Sequence, residues 1–337
     1  MTLSDTSARS ARVRRAGSLL AAGMVAALLT PAVGSAQQSL AQRIAGVQGE
    51  AELRFASRPG VCGNGEGSIS FRSSSENVST GVRTHDNWDY DCEPGPVRVR
   101  LTVSNGTVTR VRSYVGRSRD TASAVTDLGV VGAREATEYF LGLARSASEQ
   151  VARKAIAPAA LADSVTVWPQ LIELARDRDR PTGVRKPALF WAGQLGETEV
   201  LEPVRAIAND DSENESMRKH AIFVLSQLPD GAGMPALLDI ARHGETIAVR
   251  KQALFWAGQG GTPTADLLDL YREFRDPELK RQMIFVLSQR DDSAAVDGLI
   301  EIARNDPDHS MRKHAFFWLG QKNDPRVIQL LTSILEK

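Results

Sequence analysis

The chain is short of several things, and each shortage removes a class of protein. Its 337 residues include only two cysteines, Cys62 and Cys92, too few for a disulfide-knit miniprotein or a cysteine-based metal module. Neither sign of charge dominates: 41 Lys and Arg balance 41 Asp and Glu, with no long run of one sign. Nucleic-acid binding normally leaves a basic excess, so no nucleic-acid partner is expected. No apolar run approaches the ~20 residues of a membrane-spanning helix. The metalloprotease, hydrolase-elbow and phosphate-loop patterns HExxH, GxSxG and Walker A are all missing. What remains is an ordinary globular composition, 42% hydrophobic and 24% charged, in which disorder is not the default.

Residues 1–36 read as an export signal. Arg9, Arg12, Arg14 and Arg15 precede the apolar run SLLAAGMVAALL, and Gly34 and Ala36 offer a cleavage site that would leave Gln37 at the mature N-terminus. An uncleaved anchor is the alternative; the residues around Arg14-Arg15 match a twin-arginine signal poorly. Cleavage would leave 37 basic against 40 acidic residues, in a protein expected in the periplasm or outside the cell. There Cys62 and Cys92 should pair. Closing a loop of about thirty residues would stabilise the fold by ~3–4 kcal/mol in the chain-entropy model. Free buried thiols are the other reading.

Two periodicities divide the rest. From 37 to 126 the period is two: Leu53 and Phe55, Ile69 and Phe71, and Val97, Val99, Leu101 and Val103 alternate with polar residues, as half-buried strands do. Asn105-Gly106 marks a hairpin. A two-residue turn would set Arg110 opposite Leu101 and mix the faces. A three-residue loop with a bulge would place Thr109, Val111 and Val115 on the apolar side and is the preferred register. This is a small β-rich domain.

From 131 to 337 the period is helical and the sequence repeats itself. VRKPALFWAGQ (184–194), MRKHAIFVLSQ (217–227), VRKQALFWAGQ (249–259), LKRQMIFVLSQ (279–289) and MRKHAFFWLGQ (311–321) are variants of one block. Their anchors Arg185, Arg218, Arg250, Lys280 and Arg312 lie 33, 32, 30 and 32 residues apart. A degenerate copy at Arg153-Lys154 precedes them, with Pro158 and Ala159 where later copies have an aromatic residue and its neighbour; it reads as a terminal cap. Second amphipathic segments such as WPQLIELARD and MPALLDIAR separate the blocks, and PRVIQLLTSILEK closes the array. Each repeat is therefore two helices, which cannot cover their own apolar faces and must stack. Trp191-Ala192, Val224-Leu225, Trp256-Ala257 and Val286-Leu287 alternate large-small with small-large, which would conserve volume between neighbours. Trp318-Leu319 breaks the alternation at the end.

A Pro-x-x-Leu-like helix, an acidic turn and a Val-Arg-x-x-Ala helix start resemble HEAT repeats, especially the short bacterial type, over roughly 150–337. The resemblance implies a right-handed α-α superhelix, mainly α, behind the small disulfide-linked β domain, with the second helix of each pair on the concave side. It departs from the family pattern in the Phe-Trp/Val-x-Gly/Ser-Gln ending and in lacking the proline at 293–304.

Other residues invite chemistry and have plainer explanations. Ser216-x-x-Lys219 and Ser310-x-x-Lys313 match the penicillin-binding nucleophile motif, but its companion motifs are missing, and serine is a preferred helix cap. His220 and His314 share a repeat position without carboxylates beside them, so no metal is expected. Asp86, Asp89, Asp91 and Glu93 form an acidic loop whose spacing fits no EF-hand, although other calcium loops exist. Arg98, Arg100, Arg110 and Arg112 share the hairpin face opposite the valines, where like charges repel; the acidic loop or an anionic partner should lie over them. The Lys/Arg pairs that open each second helix face the wrong end of a helix dipole. The turns holding Asp210-Asp211, Asp276 and Asp306 should compensate as a charge ladder.

One row stands out. Phe190, Phe223, Phe255, Phe285 and Phe317 follow their anchors by five residues, and Gln194, Gln227, Gln259, Gln289 and Gln321 by nine. Spaced four apart, each pair shares a helix face, with the phenylalanine roughly 145° and the glutamine roughly 105° from the centre of the core stripe. Gly193, Ser226, Gly258, Ser288 and Gly320 beside them should leave backbone accessible. Either the rings fill the seams between repeats while the glutamines ladder, or the row grips an extended peptide. The expectation is a non-enzymatic scaffold that needs no cofactor and binds another protein or extended peptide. The alternatives are an enzyme or regulatory subunit with its site in the β domain, or a binder of envelope polysaccharide or lipid.

Overall fold

The computed structural model describes residues 38–71, 92–117, 125–322 and 324–328. The expected signal at 1–36 lies outside these, as do Asp86, Asp89 and Asp91 and residues 329–337 of the closing segment. From Gln38 onward the chain forms one compact unit. A short helix α1 (Leu40–Ala45) is opened by a capping box. The Ser39 hydroxyl accepts from the Gln42 backbone, and the Gln42 side chain accepts from the Ser39 backbone.

Among the described residues seven strands follow: β1 (Gly49–Phe55), β2 (Val61–Gly63), β3 (Ile69–Phe71), β4 (Glu93–Pro94), β5 (Val97–Ser104), β6 (Thr107–Tyr114) and β7 (Val125–Val130). They make a four-stranded sheet in the order β6-β5-β1-β7, with β7 parallel to β1, and a small sheet in the order β3-β2-β4. Cys62 and Cys92 are bonded, tying β2 to the residue before β4 across Cα atoms 5.2 Å apart. On β1, Ala51, Leu53 and Phe55 are fully buried, as period-two alternation requires.

The hairpin corrects the expected loop. Asn105 and Gly106, both with positive φ (49° and 73°), form a two-residue turn, the conformation that Asn-Gly accommodates with least strain. The bulge sits inside β6 instead, where the register shifts between Thr102 and Val103 and Thr109 is passed over. That shift pairs Leu101 with Val111, so the faces stay unmixed. Val108, Val111 and Val115 are buried, and Thr109 is exposed.

Twelve helices then form six consecutive pairs among the described residues: α2 (Ala133–Ser146) and α3 (Glu149–Leu161), α4 (Trp168–Arg176) and α5 (Thr182–Leu195), α6 (Leu201–Ala208) and α7 (Glu215–Ser226), α8 (Met234–His243) and α9 (Ile247–Gln259), α10 (Thr264–Glu273) and α11 (Pro277–Ser288), α12 (Ser293–Asn305) and α13 (His309–Leu319). The second helices, α3 through α13, pack on one another in an unbroken row, more closely than the first helices do. One hydrophobic core runs the length of the stack.

The sheet packs against the first pair. Phe55 meets Phe140 of α2, ring centroids 6.2 Å apart. Arg58 closes the end of α3: its Nε donates to the Ala160 carbonyl at 2.9 Å, and Nη2 donates to the carbonyls of Ala162 and Val165 at 3.2 and 3.0 Å. A guanidinium there satisfies the orphan carbonyls of a helix C-terminus.

The anchor cations are placed by the same logic. Arg185 and Arg218, each 3% exposed, start second helices but turn back. Their Nε atoms donate to Ala175 and Ala208, the last carbonyls of the paired first helices, at 2.8 and 3.2 Å. Each charge thus sits at the favourable end of one helix rather than the unfavourable end of the next. The far sides reach the following repeat: Arg185 forks onto Glu213, and Arg218 onto Glu245 at 2.7 Å. Lys280 likewise reaches Asp306 at 3.1 Å, and the Tyr271 hydroxyl donates to the same carboxylate at 2.7 Å. The ladder is therefore stepped, although Arg218 also meets Asp211 of the turn just before it at 3.1 Å, as expected. Asp306 answers the repeat before it, and Asp276 caps α11 instead, accepting from the Glu278 and Leu279 backbones. Burial opposes ionisation of Glu213 and Asp306, but hydrogen bonds from Arg185 and Tyr271, with the neighbouring cations, hold both carboxyls below their ordinary range.

Candidate partner-binding face

The second helices turn one face away from their paired first helices, and the predicted row lies along it. Phe190, Phe223, Phe255 and Phe285 are half-buried, and Phe317 on the last repeat is 58% exposed. Burial of the first four comes from aromatic neighbours. Each tryptophan of the second helices stands between two phenylalanines. Trp256 meets its own repeat's Phe255 edge-on at 5.1 Å and the previous repeat's Phe223 at 5.0 Å. Trp318 meets Phe317 at 5.2 Å and Phe285 at 5.3 Å. Trp191 meets Phe190 at 5.8 Å, but the preceding copy has Pro158 where that phenylalanine belongs. Phe71 of β3 takes the empty place, 6.3 Å from Trp191. The small sheet thus supplies the ring that the first repeat lacks.

Repeats with valine at the tryptophan position use the other interface. A methyl group added at Gly193 or Gly258 would come within 3 Å of Val224 or Val286 in the following repeat. The volume match between neighbours is therefore valine into glycine and tryptophan onto phenylalanine, alternating along the stack. This corrects the expectation that small residues leave backbone accessible: Gly193 and Gly258 are buried under valine. The hydroxyls of Ser226 and Ser288 donate to the Phe223 and Phe285 carbonyls at 2.7 Å.

The glutamines divide the same way. Gln227 and Gln289 donate to their neighbouring serine hydroxyls at 3.1 and 3.2 Å. Gln194, Gln259 and Gln321, each following glycine, make no side-chain hydrogen bond among the described residues, and Gln259 and Gln321 are exposed. Among the described residues no inter-repeat glutamine ladder forms.

Between the helices the face is grooved. One groove of about 640 Å³ runs across α7, α9 and α11, lined by Lys219, Lys251, Gln252, Phe255, Glu278 and Gln282. A second of about 290 Å³ continues across α11 and α13, sharing Lys251, Glu278 and Gln282 and adding Arg281, Phe285, His314 and Trp318. The two form one channel. Its cations, Lys219, Lys251 and Arg281, are the second residues of their Lys/Arg pairs. That position, held by Lys186, Lys219, Lys251, Arg281 and Lys313, stands four residues before the phenylalanines.

Residue 216 carries no nucleophile geometry. The Ser216 hydroxyl accepts from Lys186 of the preceding repeat, while Lys219 pairs with Glu215 at 2.7 Å. His220 bonds the Lys186 carbonyl at 2.9 Å; burial is the chief cause of its lowered pKa, the nearby Lys186 charge also lowering it. Among the described residues no cluster of His, Cys, Asp and Glu is disposed to hold a metal.

The hairpin arginines are not one surface. Arg98 and Arg100 are 7% and 8% exposed, share Glu52 at 3.8 and 3.4 Å, and lie over the Tyr114 ring. Arg110 and Arg112 are exposed. Glu52, directly across from Arg100 on β1, neutralises part of this face; the Asp86, Asp89 and Asp91 expected to cover it fall outside the described residues.

A family model for HEAT repeats matches residues 168–258 and 264–337. The stack is built of HEAT repeats. The match begins with α4 and leaves out the α2–α3 pair, whose Pro158 and Ala159 mark it as the divergent end. No curated protein matches the chain. Among the described residues no helix of this HEAT protein is long and apolar enough to cross a membrane.

Proposed function

We propose that this is an exported protein-interaction scaffold whose second-helix face, the concave side of the HEAT solenoid, holds an extended segment of another protein. HEAT repeats are a scaffold architecture, and the closer packing of the second helices supports curvature toward them. The observation that carries the reading is the continuous channel from Lys219 to Trp318, floored by half-buried rings and edged by side-chain amides. Rings supply apolar contact at small entropic cost, and amides such as Gln252 and Gln282 in the channel, with exposed Gln259 further along α9, bond an extended backbone. The β-rich region acts as the N-terminal cap, filling the first seam with Phe71. The disulfide and the leader-like 1–36 segment support export to an oxidising compartment.

The test is Phe255→Ala with Gln259→Ala in the full chain. Capture of partner protein from the native envelope fraction should fall at least tenfold while the melting profile stays that of the wild type. Undiminished capture, or a loss that tracks unfolding, would remove the binding role. Arg110 and Arg112 support a second reading, an anionic ligand on the exposed edge of β6; Arg110→Gln with Arg112→Gln would abolish it without affecting the channel.

A further inference from the structure

The partner's chemistry can be read from the cations of the second helices, of which Lys219, Lys251 and Arg281 line the channel and Lys186 and Lys313 continue the row beyond its two ends. Lys186, Lys219, Lys251, Arg281 and Lys313 form a row, one on each successive second helix from α5 to α13. These five helices contain only two carboxylates, Glu215 and Glu278. Glu215 pairs with Lys219 at 2.7 Å and Glu278 with Lys251 at 3.2 Å. The other three cations have no carboxylate within salt-bridge reach among the described residues: Lys186 meets only the Ser216 hydroxyl, and Arg281 and Lys313 are exposed. The chain as a whole is neutral, and the first helices carry the opposite balance, with Glu173, Glu202, Asp239, Asp266, Asp269, Glu273, Asp297 and Glu301 outnumbering their arginines. Positive charge is thus segregated onto the grooved face.

Resting on the scaffold reading above, we infer that the channel takes an acidic extended peptide with a carboxylate at about every third residue. Packed helices lie about 8–10 Å apart, and a chain in the extended polyproline II form rises about 3.1 Å per residue with three residues per turn. Laid across the helices, such a segment turns every third side chain toward the face at about the helix spacing. Carboxylates in that register reach the cation row, in which Lys186, Arg281 and Lys313 have no carboxylate of their own among the described residues. The amides that line the channel, Gln252 and Gln282, favour a polypeptide over an acidic polysaccharide, because an amide can both donate to and accept from a peptide backbone.

The experiment uses the full chain and two fluorescent eighteen-residue peptides of one composition, one with glutamate at every third position and one with its glutamates contiguous. At low salt the periodic peptide should bind at least tenfold more tightly, with the preference shrinking as salt is raised. Lys186→Gln, Arg281→Gln and Lys313→Gln together should abolish the preference; all three are surface changes, and an unchanged melting profile verifies folding. Equal binding of the two peptides, an intact preference in the triple variant, or tighter binding of polygalacturonate than of the periodic peptide would overturn the inference. If neither peptide binds while Phe255→Ala with Gln259→Ala still weakens partner capture, the acidic register fails and the scaffold reading stands. If that double variant also captures normally, both fail.

Discussion

Arginine is buried in both halves of this molecule, and the two halves neutralise it differently. In the solenoid each buried guanidinium is shared between the carbonyls that end one helix and a carboxylate of the following repeat, as Arg185 is between Ala175 and Glu213. The bond back to the preceding helix recurs at Arg185, Arg218 and Arg250, so this half of the interface is copied from repeat to repeat. In the sheet Arg98 and Arg100 stand on one strand and converge on Glu52, with the Tyr114 ring beside them. The solenoid distributes its electrostatics along the stack; the sheet concentrates them at one point.

The comparison breaks most sharply at its anions. Glu52→Ala should be the costliest single change, about 3–5 kcal/mol or more, because two buried guanidiniums lose a common partner. Glu213→Ala should cost about 3 kcal/mol, the lower end of that range, because it strands one buried guanidinium, Arg185, rather than two. Hydrogen exchange should show the second loss confined to the α4–α7 region and the first spread through the sheet. Equal, local losses would mean that the two halves do not differ.

Removing the disulfide, by Cys62→Ser with Cys92→Ser, is next. It should cost the β region about 3–4 kcal/mol and leave the solenoid's far-ultraviolet helical signal largely intact. Simultaneous melting of both would show that the contacts joining them, Phe55 on Phe140, Arg58 at the end of α3 and Phe71 on Trp191, make one cooperative unit. Gly258→Ala should cost about 1–3 kcal/mol by overpacking against Val286, and less in a Val286→Ala background. Additive effects would refute the valine-into-glycine interface.

The smallest expected effect is on pH dependence. Burial, with the Lys186 charge, lowers the pKa of His220; burial, with the Arg281 charge, lowers that of His314; both fall below the ordinary 6.5. The unfolded chain therefore takes up these protons first as pH falls. Stability is full above about pH 6.5 and declines below it until the folded values are passed. Glutamine already stands at this repeat position in Gln252 and Gln282, so His220→Gln with His314→Gln should flatten denaturant midpoints between pH 7 and 5. An unchanged slope would locate the titration elsewhere.

The same contrast explains what could be read in the sequence. The solenoid was legible because every contact is restated about 32 residues later, so anchors, helix pairs and the phenylalanine row emerge from self-comparison. The interface alternation was legible only in outline. It is carried by Gly193 with Val224 and Phe223 with Trp256, contacts between copies that no single helix reveals. The sheet has one copy and no such redundancy. Asn105-Gly106 gives the turn, but alternation is restored equally well by a longer loop or by a bulge in the strand. The parallel pairing of β1 with β7, and Arg58 reaching the end of α3, join segments whose separation leaves no local signal. Phe71 could have been suspected from one clue, the proline at 158 where the first repeat needed a ring.

The most direct measurement of where this scaffold works is site-specific photo-crosslinking in the native cell. Phe255→benzoylphenylalanine places the probe in the channel, and Asp239→benzoylphenylalanine places it on the exposed side of α8. The account expects a discrete protein adduct from position 255, weakened by salt and absent from position 239. Adducts from position 239 with none from 255 would put the binding surface on the opposite side of the solenoid and contradict it.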